Sequence, residues 1–287
     1  MKIIFFLLFP LMALAQKTTG IVRDSLTGKP VQYASIWIQN EDNSAMADSL
    51  GQFSVRTSNP DKTLVFSATG YETKSVRLAQ ARNLVLTPIS PTENTEKPKR
   101  TQKIEIGDYH IRNSDLTYGS HGRPWMLARK FILGPQQQST RVLDKLELYT
   151  DCHNNNMKCA LRFFAIDANG NPGRELTNQQ VIFRVDRGRD DTEIDLSKYG
   201  IVVPEDGFFI AVSWLIIDQN IKRWYDKRPM QYKDYDPGVG AMASEVNSTW
   251  EYKFGKWTPM AKLPEDYAMR TYRGKYPEVA MKITLSN

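Results

Sequence analysis

The chain has 287 residues, 41% hydrophobic and 24% charged, a balance that supports a sizeable folded core and excludes both a disordered chain and a multi-span membrane protein. Its length accommodates two domains. Its 38 Lys and Arg against 32 Asp and Glu leave a modest +6 at pH 7, and with no basic helix or aromatic RNA-binding motif nucleic acid is excluded as a partner.

Lys2 is followed by an apolar stretch, 3–15, bent at Pro10. Ala13-Leu14-Ala15 fits the small-x-small rule of signal peptidase, so 1–15 reads as a signal peptide cut between Ala15 and Gln16. The stretch is too short for a hydrocarbon core that takes about 20 helical residues. The longest later apolar run, 208–217, reads as a strand, so the mature chain is expected to have no transmembrane span. No cysteine follows the cleavage point, so no lipid anchor is expected there. The expected location is the periplasm or the cell surface.

Residues 16–87 read as short strands at 18–23, 33–38, 51–56, 63–67, 73–77 and 83–86, separated by turns. Tyr33, Ser35 and Trp37 share one face; Ala34, Ile36 and Ile38 share the other. Such spacing predicts an all-β sandwich. Gly20-Ile21-Val22-Arg23-Asp24, Gly28-Lys29-Pro30-Val31, Ala34-Ser35-Ile36, Asp48-Ser49-Leu50-Gly51-Gln52-Phe53 and Leu64-Val65-Phe66-Ser67-Ala68-Thr69-Gly70-Tyr71-Glu72 occur in that order. This segment resembles the carboxypeptidase regulatory-like domain. The resemblance implies a transthyretin-like, seven-strand sandwich of the kind carried by exported Bacteroidetes proteins, including the N-terminal extension of outer-membrane receptors. Gly28 and Gly51 suit tight turns, Pro30 fixes the approach to the next strand, and Tyr71 is placed to plug one end. These are scaffold roles, which speak to fold rather than activity.

Residues 88–102 are rich in Pro, Thr, Glu and Lys and read as a linker. From 103 to 287 a second β pattern follows, with strands expected at 127–133, 142–149, 158–167, 180–185, 193–196, 207–217, 249–254 and 279–285. Leu146 and Leu148 share a face, as do Leu161, Phe163 and Ala165, and 211–216 is apolar on both faces, as in a central strand. The expected architecture is a second, larger, jelly-roll-like sandwich.

Signals for catalysis fail on inspection. Zinc peptidases need His-x-x-Glu, but Asn113, Pro124 and Asn156 stand three residues after His110, His121 and His153. Gly119-Ser120-His121-Gly122 lacks the spacing of a nucleophile elbow and reads as a turn. Gly238-Val239-Gly240-Ala241-Met242-Ala243 follows Asp236-Pro237 rather than a strand, which speaks against nucleotide binding. Asp167, Asn169 and Asn171 imitate a calcium loop, but Pro172 and Asn178 stand where Gly and Glu are needed, so a plain turn is expected. No metal or cofactor is expected. Cys152 and Cys159 flank a short segment between two strands, and in an oxidising compartment a disulfide across a hairpin is expected.

The segment 223–236 interleaves aromatic and charged residues without strand alternation and reads as a long loop. Trp224, Tyr225, Tyr232 and Tyr235 are the expected ligand contacts, with Asp226 and Asp234 as hydrogen-bond acceptors. The expected function is a non-catalytic exported protein that binds an envelope protein or a glycan. The alternatives are a purely structural envelope spacer and an unrecognised hydrolase.

Overall fold

The computed structural model describes residues 16–57, 59, 61–90, 101–109, 114–137, 139–222 and 233–287. The chain is all-β; the helical segments among the described residues are short 3-10 turns, and no helix is long and apolar enough to cross a membrane. The signal-peptide reading falls on residues 1–15, outside the described residues.

The first module has strands β1 (Gln16–Asp24), β2 (Ser35–Ile38), β3 (Ser44–Met46), β4 (Gln52–Thr57), β5 (Thr63–Ser67), β6 (Lys74–Arg77) and β7 (Asn83–Leu86). They form two sheets, β4-β1-β7 and β3-β2-β5-β6, with β1 and β7 parallel. This is the seven-strand sandwich expected. Val22, Ile36, Ile38, Phe53, Leu64 and Phe66 fill it. Asp24 and Asp48 turn the chain by accepting backbone N–H groups, at 2.7–2.8 Å from Leu26 and Thr27 and at 2.8–2.9 Å from Leu50 and Gln52. Gly28 and Gly51 close these turns at φ of 68° and 71°. Tyr71 packs on the core edge, its hydroxyl donating to Asp24 Oδ2 at 2.9 Å.

The second module has strands β8 (Lys103–Ile106), β9 (Leu116–Ser120), β10 (Met126–Phe131), β11 (Val142–Cys152), β12 (Met157–Ile166), β13 (Pro172–Glu175), β14 (Val181–Val185), β15 (Gly188–Asp195), β16 (Phe208–Trp214), β17 (Tyr235–Ser244), β18 (Thr249–Lys253), β19 (Lys256–Pro259), β20 (Tyr276–Val279) and β21 (Met281–Ser286). One sheet runs β13-β12-β16-β10-β18-β19 with β14 on β12; the other runs β20-β17-β11-β21-β8 with β15 on β11 and β9 on β17. Leu161, Phe163, Ile210 and Val212 of the first meet Leu146, Leu148, Ile283 and Leu285 of the second in one core. Arg129 crosses between the sheets, donating to the carbonyls of Val279 and Met281 at 2.9 and 2.8 Å and pairing with Glu278.

The two modules are docked. The central strands β2 and β5 of the β3-β2-β5-β6 sheet carry buried apolar residues on both faces. Ile36, Ile38, Leu64 and Phe66 point into the first core, while Trp37 and Val65, on the opposite rows, belong to the core of the second module. Arg162 alternates with Leu161 and Phe163 and so leaves the opposite face of its sheet, toward β5. Its guanidinium holds Glu175 through Nε at 2.8 Å and Nη2 at 3.1 Å, Ser67 Oγ at 2.9 Å and the Ala68 carbonyl at 3.3 Å. Glu175 Oε2 in turn accepts Gly70 N–H at 3.0 Å. A Cβ on Gly70 would lie 2.5 Å from the Asn178 carbonyl, so this corner of the first module admits no side chain. Pro88 still bridges to Tyr71, and Thr101 and Gln102 donate to Asn287 Oδ1 at 2.9 and 3.1 Å. Contacts with the two modules thus enter both ends of the stretch read as a linker.

Arg162 is a buried charge whose partners lie on both modules. Arg162→Ala is expected to lower the unfolding free energy by about 3–5 kcal/mol in urea titration, since it leaves Glu175 buried without its cation. Arg162→Met combined with Glu175→Leu should recover most of that loss; an Arg162→Ala protein of wild-type stability would show that the pair does not hold the interface.

Candidate functional site

The residues expected to bind ligand divide into two groups. Trp224, Tyr225, Asp226 and Tyr232 lie outside the described residues. Asp234 and Tyr235 are described, and Tyr235 does not sit as expected. Tyr235 opens β17 and is only 1% exposed; its ring is enclosed, and burial pushes its hydroxyl pKa up to about 12. It is an interior residue and not a surface contact, because the chain has already entered the sheet at this position, pairing with Ser120 and bridging to Ile221. Asp234 is engaged by His121 Nδ1 at 2.5 Å and closes the stem of the segment, its carbonyl accepting Lys222 N–H at 2.9 Å.

The expected disulfide is absent: Cys152 and Cys159 are both free, buried thiols. The expectation assumed a hairpin. β11 and β12 instead belong to opposite sheets, so the strands that carry the two cysteines do not pair with one another. Cys152 Sγ donates to the Asn154 carbonyl at 3.1 Å. Next to it the fully buried Asp236 accepts His153 N–H at 3.0 Å and Asn154 Nδ2 at 3.3 Å, with His153 Nδ1 at 3.1 Å and Lys222 Nζ at 3.8 Å. A cysteine, a histidine and an aspartate thus meet at one place, but burial pushes the Cys152 thiol up to about 12 and raises that of Cys159 as well. A protonated thiol aimed at a carbonyl is no nucleophile. The cluster anchors the β11–β12 crossing.

Other sequence signals resolve as turns and strands. Ser120 Oγ donates to the Arg123 carbonyl at 2.6 Å and accepts Arg123 N–H at 3.2 Å, which closes the Gly119–Gly122 turn. Asp167 Oδ1 accepts the N–H groups of Asn169 and Asn171, both at 2.8 Å, as a plain turn does. The Gly238–Ala243 segment lies inside β17, where a Cβ on Gly240 would overlap the Tyr149 ring at 2.1 Å. Among the described residues, no three His, Cys, Asp or Glu side chains are placed so that they could hold a metal ion.

The feature best suited to binding is a cleft of about 520 Å³ where the open end of the second sandwich meets the first module. Tyr118 of β9 and Trp125 and Lys253 beside the other sheet form its walls; Trp37 and Asp42 of the first module close one side. Trp125 is stacked on Trp214 at 4.5 Å with an interplanar angle of 4°, and Lys253 Nζ sits 4.6 Å from its ring centroid. Arg123 pairs with Asp42 across the module boundary, and Lys253 pairs with Glu251 at 2.6 Å. Phe254, at the tip of the β18–β19 hairpin, meets Trp37 edge-on at 5.7 Å. Burial raises the Tyr118 pKa, so its hydroxyl stays protonated and able to donate. His121 also lines the cleft, so the stem of the 223–232 segment stands at its rim.

Sequence reasoning passed over these cleft residues because each comes from a different element. Two local signals were present. Trp37 occupies a row that a solvated sheet would give to polar side chains, and Phe254 is an aromatic residue placed in a turn.

The fold and cleft define a two-module β-sandwich protein with a composite, aromatic-lined cleft. The model of the CarboxypepD_reg-like domain matches residues 18–97, so the first module is a domain of this type. No curated protein matches the chain. Among solved structures it is similar, at 11% identity and a TM-score of 0.41, to the clostridial cysteine protease Cwp84 after propeptide cleavage, over 90% of this chain and 66% of that one. It is also similar, at 12% identity and a TM-score of 0.39, to the cysteine protease and lectin-like domains of Cwp84, a surface layer associated protein of Clostridium difficile, over 86% of this chain and 47% of that one. The chain thus spans less than two thirds of either structure's length.

Both thiols are expected to resist alkylation in the native state at pH 8 and to react in full after denaturation. Rapid labelling of Cys152 in the folded protein would contradict its burial and raised pKa.

Proposed function

We propose that this chain is a non-catalytic, exported binding protein of the cell envelope, at work in the periplasm or on the cell surface, whose ligand is a glycan. The inter-module cleft carries this reading. Its volume is on the scale of small-ligand sites, about 300–1,000 Å³, and its rings and paired charges combine apolar faces with donors and acceptors. Such a mixture suits sugars, which present C–H faces and hydroxyl edges together. An envelope protein as partner would call for a broad, flat contact of about 800 Å² per side rather than a narrow cleft. The first module contributes walls and no reactive group. Export rests on the 1–15 segment, and the intact mass of the processed protein is expected to begin at Gln16.

The direct test is calorimetric titration of the mature chain with a panel of envelope oligosaccharides. Saturable binding is expected, with Tyr118→Ala weakening it about tenfold or more while the unfolding midpoint stays within a few degrees. A panel without a single binder, alongside specific capture of one envelope protein, would overturn the glycan reading.

A further inference from the structure

The β18–β19 hairpin breaks a local rule at the cleft. Its loop has two residues, Phe254 and Gly255, between the paired Lys253 and Lys256. Both have positive φ, 54° and 77°. That is the type I′ turn, for which Asn-Gly is the favoured pair, because a bulky side chain at the first position strains the left-handed conformation. Phe stands where Asn belongs, and it does not repay the strain by full burial: the residue is 37% exposed, with Trp37 meeting its ring edge-on. Departures of this kind concentrate at functional sites.

The other rings of the cleft are less available. Trp125 has Trp214 on one face and the Lys253 ammonium on the other. Trp37 is 2% exposed, and its indole N–H finds no acceptor among the described residues. An apolar ligand face therefore meets Phe254 and the half-buried Tyr118. The charges of the cleft are matched in pairs, Arg123 with Asp42 and Lys253 with Glu251. An anionic ligand drawn to either cation would strip a carboxylate of its partner. A neutral hydroxyl satisfies both members of a pair, since it donates to the carboxylate and accepts from the cation.

Resting on the glycan reading above, we infer that the cleft takes a neutral saccharide, with a sugar ring against Phe254 and Tyr118 and its hydroxyls bridging the Arg123–Asp42 and Lys253–Glu251 pairs. Because Asp42 comes from the first module and Arg123 from the second, the site is complete only when the modules are docked.

Phe254→Asn separates a binding role from a structural one, since Asn is the better residue for the turn. The variant is expected to unfold within about two degrees of wild type, or above it, while its affinity for neutral oligosaccharides falls at least tenfold. Phe254→Trp is expected to keep binding. Titrations with neutral and uronic-acid oligosaccharides of equal length should favour the neutral series, with less than a twofold change in affinity between 50 and 500 mM NaCl. Preference for the acidic series with steep salt dependence would overturn this inference and leave the glycan reading standing. So would neutral-sugar binding that Phe254→Asn leaves intact. Binding to no saccharide of either series would overturn both.

Discussion

The arrangement of the molecule depends on one buried cation. Arg162 is almost wholly buried, and its hydrogen bonds are divided between Glu175 of its own module and Ser67 and Ala68 of the other. A guanidinium can leave water only where a carboxylate and further acceptors replace the solvent, and here part of that replacement comes from the partner module. Glu175 is tied as well, since one of its oxygens receives Gly70 N–H. Docking is therefore a condition for burying this pair without loss, and the two sandwiches share this buried polar lock in addition to a shared apolar contact.

The cleft follows from that lock. With β5 fixed against β12, the neighbouring β2 brings Trp37 onto the second module, and the loop after β2 brings Asp42 to Arg123. The β18–β19 hairpin reaches the same face of that sheet, where a Cβ on Gly255 would meet the Val65 side chain at 3.1 Å. The cleft is the space left beside these contacts, and its charges are matched in pairs, Arg123–Asp42 across the boundary and Lys253–Glu251 within β18.

Much of the fold was legible because strand alternation is a local property. Leu161 and Phe163 face one core, as alternation requires, and 208–214 is buried on both faces as a central strand. Motifs such as Asp48 to Phe53 carried the first module because their turns are set by the residues themselves. What escaped depends on partners distant in sequence. β17 contains Pro237, Gly238 and Gly240 and resembles a loop, yet Gly240 is there to make room for Tyr149. β15 is charged along most of its length, so its pairing with β11 left no apolar alternation to read. The cysteines were placed on a hairpin because they are close in sequence, whereas the chain passes between sheets there. The aromatic run at 223–236 drew attention by composition, but its last tyrosine already belongs to a strand, and the cleft draws its side chains from both modules.

The pairing of β8 has a kinetic meaning. β8, the first strand of the second module, pairs with β21, the last, with Lys103 opposite Ser286 and Ile106 opposite Ile283. β11, in the middle of the same sheet, takes β21 as its other long neighbour. The sheet cannot close until the segment that forms β21 has emerged, and contacts of such separation close slowly because chain entropy is lost before they form. During synthesis the second module thus stays open until β21 is made, whereas the first, whose strand partners all lie between 16 and 86, has what it needs early. The larger sandwich is therefore the later to form, against a smaller one that can already stand folded.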